Sequence, residues 1–243
     1  MFEDCKSRYR RFERQIEYKR VPRSFERAIL EKREQGANPV IPEIKFSSPS
    51  GIIRVQGDVK AIAKEMIEGG ACGISVLTEE KYFGGSLKNL SEVSRISPIP
   101  VLRKDFIFDE AQIGESYYYG ADSLLLIASF FDEITLKKFI GESRRLGMEP
   151  VVEVHSLEDV ARAERAGARI YAINNRDKDT LQIDLNRSRV FSNINGIKIS
   201  ASGINTLQDL KFVLKYCDAA LIGSAVMSSD NISEKVREFV HGA

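Results

Sequence analysis

The residues with the clearest chemical potential lie in one short stretch, residues 39–51, which reads PVIPEIKFSSPSG. An apolar start leads into Glu43 and Lys45, and a loop of small residues follows. Because successive side chains of a strand alternate between its faces, a strand here would point both charges to the same side. Two opposite charges on an inward face are costly to desolvate unless they serve a site. An edge strand with a solvated ion pair is the alternative interpretation.

Further polar side chains stand at or near the ends of other short apolar runs. Lys104 ends the run VLRK, Glu153 interrupts the run VVEV, and Asn174 ends the run IYAIN. Lysines and glutamates that meet in one place perturb one another's pKa values, as acid–base catalysis requires. These residue types therefore predict proton-transfer chemistry, provided that the fold brings the run ends together.

The elements that would carry these residues repeat along the chain. Short β-branched apolar runs recur at 40–45, 73–78, 100–104, 123–128, 150–154, 170–174, 198–202 and 219–223. Amphipathic helical patterns lie between or after them at 58–69, 87–95, 109–119, 133–146, 156–166, 205–216 and 231–240. Eight strands that alternate with helices predict an α/β protein, a single (β/α)8 TIM barrel domain over residues 1–243. An open doubly wound sheet is disfavoured because no Gly-x-Gly-x-x-Gly follows the first strand.

A barrel of this kind gathers its active site at the carboxyl ends of its strands. The loops after its seventh and eighth strands, with a helix N-terminus, often bind phosphate. Gly203 follows Ser202 after the seventh predicted strand, and Gly223 precedes Ser224 after the eighth. The small residues let backbone N–H groups approach a ligand closely, so the sequence predicts a phosphate site there.

Residues 6–36 are rich in arginine and lysine and have apolar residues at helical spacing. Ser24 is a candidate N-cap and Gly36 a candidate stop, which predicts one or two helices before the first strand. Residues 1–38 are therefore expected to form an N-terminal helical extension over the barrel mouth. Most of the positive charge is expected on a solvated helix face; the alternative is an arginine that folds over an anionic substrate.

Composition narrows the class of protein. The formal net charge of +1 favours neither nucleic acid nor an anionic membrane, and no segment resembles a membrane span or a secretory signal. The three scattered cysteines form no CxxC pair, which argues against zinc and disulfides and indicates a reduced, cytoplasmic protein. With only two histidines, acid–base work is expected of lysine and glutamate.

In order along the chain, these motifs resemble those of indole-3-glycerol-phosphate synthases, the ring-closing decarboxylases of tryptophan biosynthesis. The resemblance runs from about residue 20 to the end and is most specific at 40–45, 48–51, 83–86, 102–106, 120–127, 149–154, 173–177 and 221–224. It implies a carboxy-lyase that converts 1-(2-carboxyphenylamino)-1-deoxyribulose 5-phosphate to indole-3-glycerol phosphate, carbon dioxide and water. It implies no metal and no organic cofactor. A monomer is expected, and association with other tryptophan-pathway enzymes is left open.

The resemblance also implies a role for each site residue. Lys104 would be the general acid of ring closure, and Lys45 would position the substrate carboxylate, with a second role as acid in dehydration. Glu153 would be the base or the partner that tunes a lysine, while Glu43 and Asn174 would orient these groups. How the two lysines divide the acid role stays open. The remaining contacts would be Ser48, Ser202, Gly203, Gly223 and Ser224 around the phosphate, and Phe83, Phe106, Leu125 and Arg176 on the anthranilate side.

The sequence departs from the family pattern in three places. Ala201 stands where relatives usually have glutamate, Lys178 where they have leucine, and Phe46 where lysine or arginine is common. None of these changes removes a residue assigned to catalysis.

Other phosphate-binding barrels are the alternative functions. A phosphoribosylanthranilate isomerase would need Cys and Asp at strand ends, whereas Cys72 precedes the second strand and Cys217 lies in a helical pattern. A Schiff-base aldolase would use a lysine covalently. A non-catalytic barrel that binds a phosphorylated metabolite or a protein has no reason to retain so many costly buried charges.

Overall fold

The computed structural model describes residues 1–14, 20–48, 51–55, 57–177 and 180–242. Within these ranges the chain forms a closed barrel of eight parallel strands and one small antiparallel hairpin. The barrel strands are β1 (Val40–Ile44), β4 (Ile74–Leu77), β5 (Val101–Lys104), β6 (Ser123–Ile127), β7 (Val151–Val154), β8 (Ile170–Asn174), β9 (Ile197–Ala201) and β10 (Ala219–Ile222). The hairpin strands are β2 (Ser47–Ser48) and β3 (Gly51–Ile52).

The strands are hydrogen-bonded in the order β1-β10-β9-β8-β7-β6-β5-β4, and β1 closes the ring. The closure is a parallel pairing on both edges of β1, with Val40 opposite Ala220 on β10 and Glu43 opposite Ser75 on β4. The predicted (β/α)8 barrel is therefore confirmed.

The helices of the described residues either precede β1 or follow the strands around the outside of the barrel. Their bounds are α1 (Phe2–Arg8), α2 (Phe25–Glu34), α3 (Val59–Glu68), α4 (Glu80–Phe83), α5 (Leu87–Ile96), α6 (Ala111–Tyr118), α7 (Glu133–Arg145), α8 (Leu157–Arg165), α9 (Asn186–Val190), α10 (Leu207–Val213), α11 (Ser224–Met227) and α12 (Ile232–His241). A 3-10 turn covers Ala128–Phe130. The seven predicted helices after the first strand correspond to α3, α5, α6, α7, α8, α10 and α12. The shorter α4, α9 and α11 were not predicted, because four or five residues are too few to show a helical period.

Alternation along the strands divides the core into an outer and an inner layer. Val152 and Val154 of β7 pack outward against the helices, while Val151 belongs to a separate cluster inside the barrel. The inner cluster also contains Leu102 of β5 and Leu125 of β6. Residues two positions further along these strands therefore point inward at the carboxyl end, which is how Lys104 and Glu153 reach the mouth.

The second N-terminal helix does not cover the mouth, so the expectation that residues 1–38 lie there is wrong for α2. Its Phe25 and Ile29 are fully buried in the inner cluster. Glu149, which precedes β7, accepts hydrogen bonds from Ser24 Oγ at 2.7 Å and from the N–H of Glu26 at 3.0 Å. The helix closes the opposite end of the barrel, because its apolar residues fill the space between the strand starts.

Arginines near α2 pair with a carboxylate at the same end. Asp122, fully buried before β6, lies 2.7 Å from Arg20 and 3.1 Å from Arg23. These two arginines are therefore remote from any substrate in the mouth. Residues 15–19, which join this region to α1, lie outside the described residues.

Candidate active site

A cavity of about 560 Å³ opens at the carboxyl ends of the barrel strands. All eight barrel strands or the loops that follow them contribute to its wall. The predicted site residues that line it are Glu43, Lys45, Phe83, Lys104, Phe106, Leu125, Glu153, Asn174, Arg176, Ser202, Gly203, Gly223 and Ser224. Ser48 is not among the lining residues: it lies half-buried in β2, beyond the point where the chain turns away from β1. Pro49 and Ser50, in the same predicted loop, lie outside the described residues.

Glu43 lies between the two lysines. Its Oε1 is 3.3 Å from Lys45 Nζ, and its Oε2 is 4.0 Å from Lys104 Nζ. Ser75 of β4 donates a hydrogen bond to Oε2 at 3.4 Å. Burial lowers the pKa of Lys104, but the carboxylates of Glu43, Glu153 and Asp105 outweigh it and raise that pKa above its usual value. Lys104 is therefore a protonated ammonium at neutral pH.

Glu153 is held by two hydrogen-bond donors on one of its oxygens. His155 Nε2 lies 2.9 Å from Oε1, and Asn174 Nδ2 donates to the same atom at 3.1 Å. Burial raises the pKa of Glu153, but the contacts with His155, Lys104 and Asn174 outweigh it and lower the pKa to about 2. The group is a carboxylate at neutral pH and can accept a proton.

The loop after β8 orients Asn174. Its Oδ1 accepts the backbone N–H of Arg176 at 3.0 Å, which leaves its amide N–H groups for Glu153. The guanidinium of Arg176 in turn donates to the carbonyl of Leu181 at 3.1 Å and lies along the cavity wall. Lys178, one of the departures from the family pattern, lies outside the described residues.

One side of the cavity is aromatic. The ring centroids of Phe83 and Phe106 are 6.4 Å apart, and Phe130 lies 6.0 Å from Phe106. Phe2 stacks on Phe130 at 3.8 Å and also lines the cavity. Phe2 and Phe130 were missed from the sequence, because they lie outside the predicted strand ends and their spacing marks no site.

The first helix is the part of the N-terminal extension that covers the mouth. Arg8 lies 2.8 Å from Glu79, which follows β4, and Asp4 lies 3.1 Å from Lys81 of α4. These ion pairs place Phe2 over the aromatic side. Arg8 is engaged by Glu79 and Asp4, so the structure does not aim it at a substrate.

The opposite side of the cavity is built of small residues. Ser202 and Gly203, after β9, both have a left-handed backbone, with φ of 72° and 82°. At Gly223, after β10, a Cβ atom would lie 2.7 Å from Glu43 Oε1 and 2.8 Å from Lys45 Cε. A larger residue there would displace the ends of both charged side chains.

Two of the departures can be placed. Ala201 is buried and lines the cavity, so that β9 presents a methyl group there. Phe46 packs into the outer core and does not line the cavity.

His155, which contacts Glu153, is a site residue that sequence reasoning missed. It follows Glu153 by two positions, so it shares the inward face of the chain and lines the cavity. That spacing is a signal that the sequence offers, since a residue two positions after an inward-facing Glu153 shares its face.

Two general findings concern the described part of the chain. There, no group of three or more His, Cys, Asp and Glu residues could hold a metal ion. In the same ranges no helix has the length and apolar character needed to cross a membrane.

Comparison with known proteins identifies similar sequences over most of the chain. The family profile described as indole-3-glycerol phosphate synthase matches residues 3–239. An indole-3-glycerol phosphate synthase of Methanocaldococcus jannaschii is 49% identical over 217 residues, which are 87% of this chain and 81% of that protein. One from Acetivibrio thermocellus is 44% identical over 212 residues, covering 85% of this chain and 82% of its own.

Solved structures show the same fold at low sequence identity. A 3-hexulose-6-phosphate synthase matches with a TM-score of 0.67 and 19% identity, covering 83% of this chain and 97% of its own. A thiamine phosphate pyrophosphorylase from Pyrococcus furiosus matches with a TM-score of 0.62 and 16% identity, covering 83% and 93%. At these identities the likeness concerns the barrel alone.

Proposed function

The chain belongs to the indole-3-glycerol phosphate synthase family, and we propose that its barrel mouth is the site of ring closure. It is a carboxy-lyase of tryptophan biosynthesis that converts 1-(2-carboxyphenylamino)-1-deoxyribulose 5-phosphate to indole-3-glycerol phosphate, carbon dioxide and water. The observation that carries the proposal for the site is the meeting of Lys45 and Lys104 with Glu43 and Glu153 in one cavity.

Lys104 is the general acid of ring closure in this proposal. The aromatic carbon that bears the carboxylate attacks the ketone, and the ketone oxygen needs a proton as its double bond becomes a single bond. Lys104 is protonated, lies in the cavity and is held by carboxylates on two sides. Its ammonium also stabilises negative charge that develops on the oxygen in the transition state.

Lys45 holds the substrate carboxylate until it leaves as carbon dioxide, and then donates a proton to the departing hydroxyl. Glu43 supports this role because its Oε1 lies 3.3 Å from Lys45 Nζ and so holds the ammonium at the cavity. Glu153 takes the proton whose loss restores the aromatic ring. Asn174 orients Glu153 through Oε1.

The two sides of the cavity suit the two ends of the substrate. The anthranilate ring would lie against Phe83, Phe106 and Leu125, since flat rings favour aromatic and aliphatic walls, with Arg176 at the edge. The phosphate would lie against Ser202, Gly203, Gly223 and Ser224, where small residues let backbone N–H groups approach a ligand closely. Ser48, which does not line the cavity, stays a predicted phosphate contact.

A turnover assay without added cofactor tests the function. Purified protein should convert the carboxyphenylamino substrate into a fluorescent indole product. Lys104→Met should lower kcat by about 10³-fold or more, since it removes both the proton and the charge. Lys60→Met, on the exposed face of α3, is the matched control and should leave kcat unchanged.

Three outcomes would contradict the proposal. Full turnover by Lys104→Met would refute the role of Lys104. Absence of any indole product from the folded wild-type protein would refute the function. Inactivation by borohydride in the presence of substrate would instead indicate a Schiff base on a lysine.

The location and assembly of the protein are proposals of the same kind. We propose the cytoplasm, because Cys5, Cys72 and Cys217 are all unpaired and buried, as expected in a reducing compartment. A monomer stays a prediction, which sedimentation of the purified protein would test.

A further inference from the structure

His155 forms part of the wall between the catalytic cavity and a second, smaller cavity. Its side chain is only 10% exposed, and its Nε2 lies 2.9 Å from Glu153 Oε1. The second cavity, of about 270 Å³, is lined by polar residues of α8, α9 and the loop after β8. The proposed steps of ring closure leave this histidine without a role.

The contact between His155 and Glu153 determines which oxygen of the Glu153 carboxylate can accept a proton. His155 Nε2 and Asn174 Nδ2 both contact Oε1, so Oε2 is the atom left to accept a proton from a bound molecule. Because Glu153 is a carboxylate, Nε2 must carry a hydrogen in this contact, in the neutral as well as in the charged imidazole. A second proton can therefore enter only at Nδ1, which is buried and has no hydrogen-bond partner among the described residues.

Charged groups surround His155 on several elements. Those that face it are Glu153 on β7, Glu158, Asp159 and Arg162 on α8, Asp177 in the loop after β8, and Arg187 on α9. The closest contacts besides Glu153 are with its backbone: its N–H donates to Asp159 at 3.0 Å, and its carbonyl accepts from Arg187. Burial lowers the pKa of His155, but Glu153 and Asp159 outweigh it and raise that pKa above its usual value.

We propose that His155 is a positioning residue for Glu153. The charge of the His155 imidazole decides whether Glu153 can act as the base. The inference rests on the proposed function of Glu153. When His155 is an imidazolium, the ion pair stabilises the Glu153 carboxylate and opposes its protonation. When His155 is neutral, the Nε2–H still orients Oε1, but the carboxylate becomes a stronger base. General bases work best when their proton affinity is matched to the working pH.

The consequence is a loss of turnover in mild acid. As the pH falls through the titration of His155, wild-type kcat should fall about tenfold to a lower plateau, since a coupling of about one pKa unit weakens Glu153 as a base by about that factor. A side chain that donates from the same place without titrating should abolish this fall. Glutamine meets both conditions, since its amide nitrogen can occupy the place of Nε2.

The first experiment compares kcat at saturating substrate, from about pH 5 to pH 9, in wild type, His155→Gln and His241→Gln. We expect His155→Gln to remain active and to lose the acid limb, and His241→Gln, at the exposed end of α12, to keep it. An unchanged acid limb in His155→Gln would assign that limb to another group, such as the substrate phosphate, and would overturn the inference.

The second experiment reads His155 directly and does not depend on turnover. The imidazole of His155 is titrated by NMR in wild type and in Glu153→Gln, and removal of the carboxylate should lower its pKa by about one unit or more. An identical titration in both proteins would overturn the inference alone. Absence of indole product from wild type would refute the proposed function instead, so the two failures can be told apart.

Discussion

Glu43 matters because one carboxylate serves two lysines. Each of its oxygens faces a different ammonium, Lys45 at 3.3 Å and Lys104 at 4.0 Å. The arrangement keeps both lysines in the barrel mouth and adds to the proton affinity of Lys104. A side chain of the same shape without charge would therefore affect both the position and the protonation of the acid.

Glu43→Gln should lower kcat by about 10²-fold, a typical loss when an acid–base group is misplaced. Because Glu43 raises the pKa of Lys104, the alkaline limb of kcat should also move to lower pH. The pH profile of turnover measures both effects. Glu92→Gln, whose side chain pairs with Lys88 on the surface of α5, is the control and should behave as wild type. A Glu43→Gln enzyme with an unshifted alkaline limb would contradict the coupling to Lys104.

Gly223→Ala should disturb chemistry more than stability. The new Cβ would lie within 3 Å of the ends of Glu43 and Lys45, and those flexible ends can move aside. Displacement of catalytic groups by about 1 Å can cost about 10²-fold in rate, so we expect a loss of kcat/KM on the order of ten- to a hundredfold. Gly141→Ala in α7, where a Cβ meets nothing within 4 Å, is the matched control. Urea unfolding of both variants should show that Gly223→Ala stays folded. If the kcat/KM of Gly223→Ala equalled that of wild type, the expected displacement of Glu43 and Lys45 would be contradicted.

The two N-terminal helices pack against opposite ends of the barrel and have different roles there. Helix α1 reaches the mouth through ion pairs of Asp4 and Arg8, whereas α2 closes the other end with Phe25 and Ile29. The sequence shows that α2 is amphipathic and where it begins, since Ser24 caps it as predicted. It does not show which end of a barrel the apolar face covers, because either end offers buried strand residues.

Asp122→Asn should therefore lower stability without changing the chemistry. The buried carboxylate pairs with Arg20 and Arg23 and also accepts the N–H of Val101 at 2.9 Å. Loss of its charge should reduce the free energy of unfolding by about 3 kcal/mol, as measured with urea. Glu133→Gln, an exposed partner of Arg165, should cost less than about 1 kcal/mol. A large fall in kcat of the folded Asp122→Asn protein would contradict the separation of the two ends.

For the molecule as a whole, the barrel could be predicted because its signal is periodic and repeated eight times. Alternation along each strand then places Lys104 and Glu153 inside the mouth without further information. Contacts between distant segments carry no such period. The stacking of Phe2 on Phe130 and the absence of Ser48 from the lining depend on how a helix and a hairpin pack, which no local pattern encodes. His155 could have been found by the same alternation as Glu153.

The Glu153–His155 pair should also shape the stability of the whole barrel against pH. Glu153 has a lowered pKa of about 2 instead of 4.5, so its stabilisation is present above about pH 4.5 and is lost as the pH falls toward 2. His155 has a pKa raised above 6.5, so its stabilisation is present below about pH 6.5 and is lost as the pH rises through the raised value.

The contribution of this pair to the free energy of unfolding should therefore be highest between about pH 4.5 and pH 6.5, and Glu153→Gln should flatten both limbs of that contribution because each residue loses its partner. Urea unfolding at a series of pH values measures this dependence, and Glu234→Gln, exposed at the start of α12, should keep the wild-type profile. A Glu153→Gln protein that flattened only the acid limb would show that His155 draws its charge stabilisation from Asp159 instead.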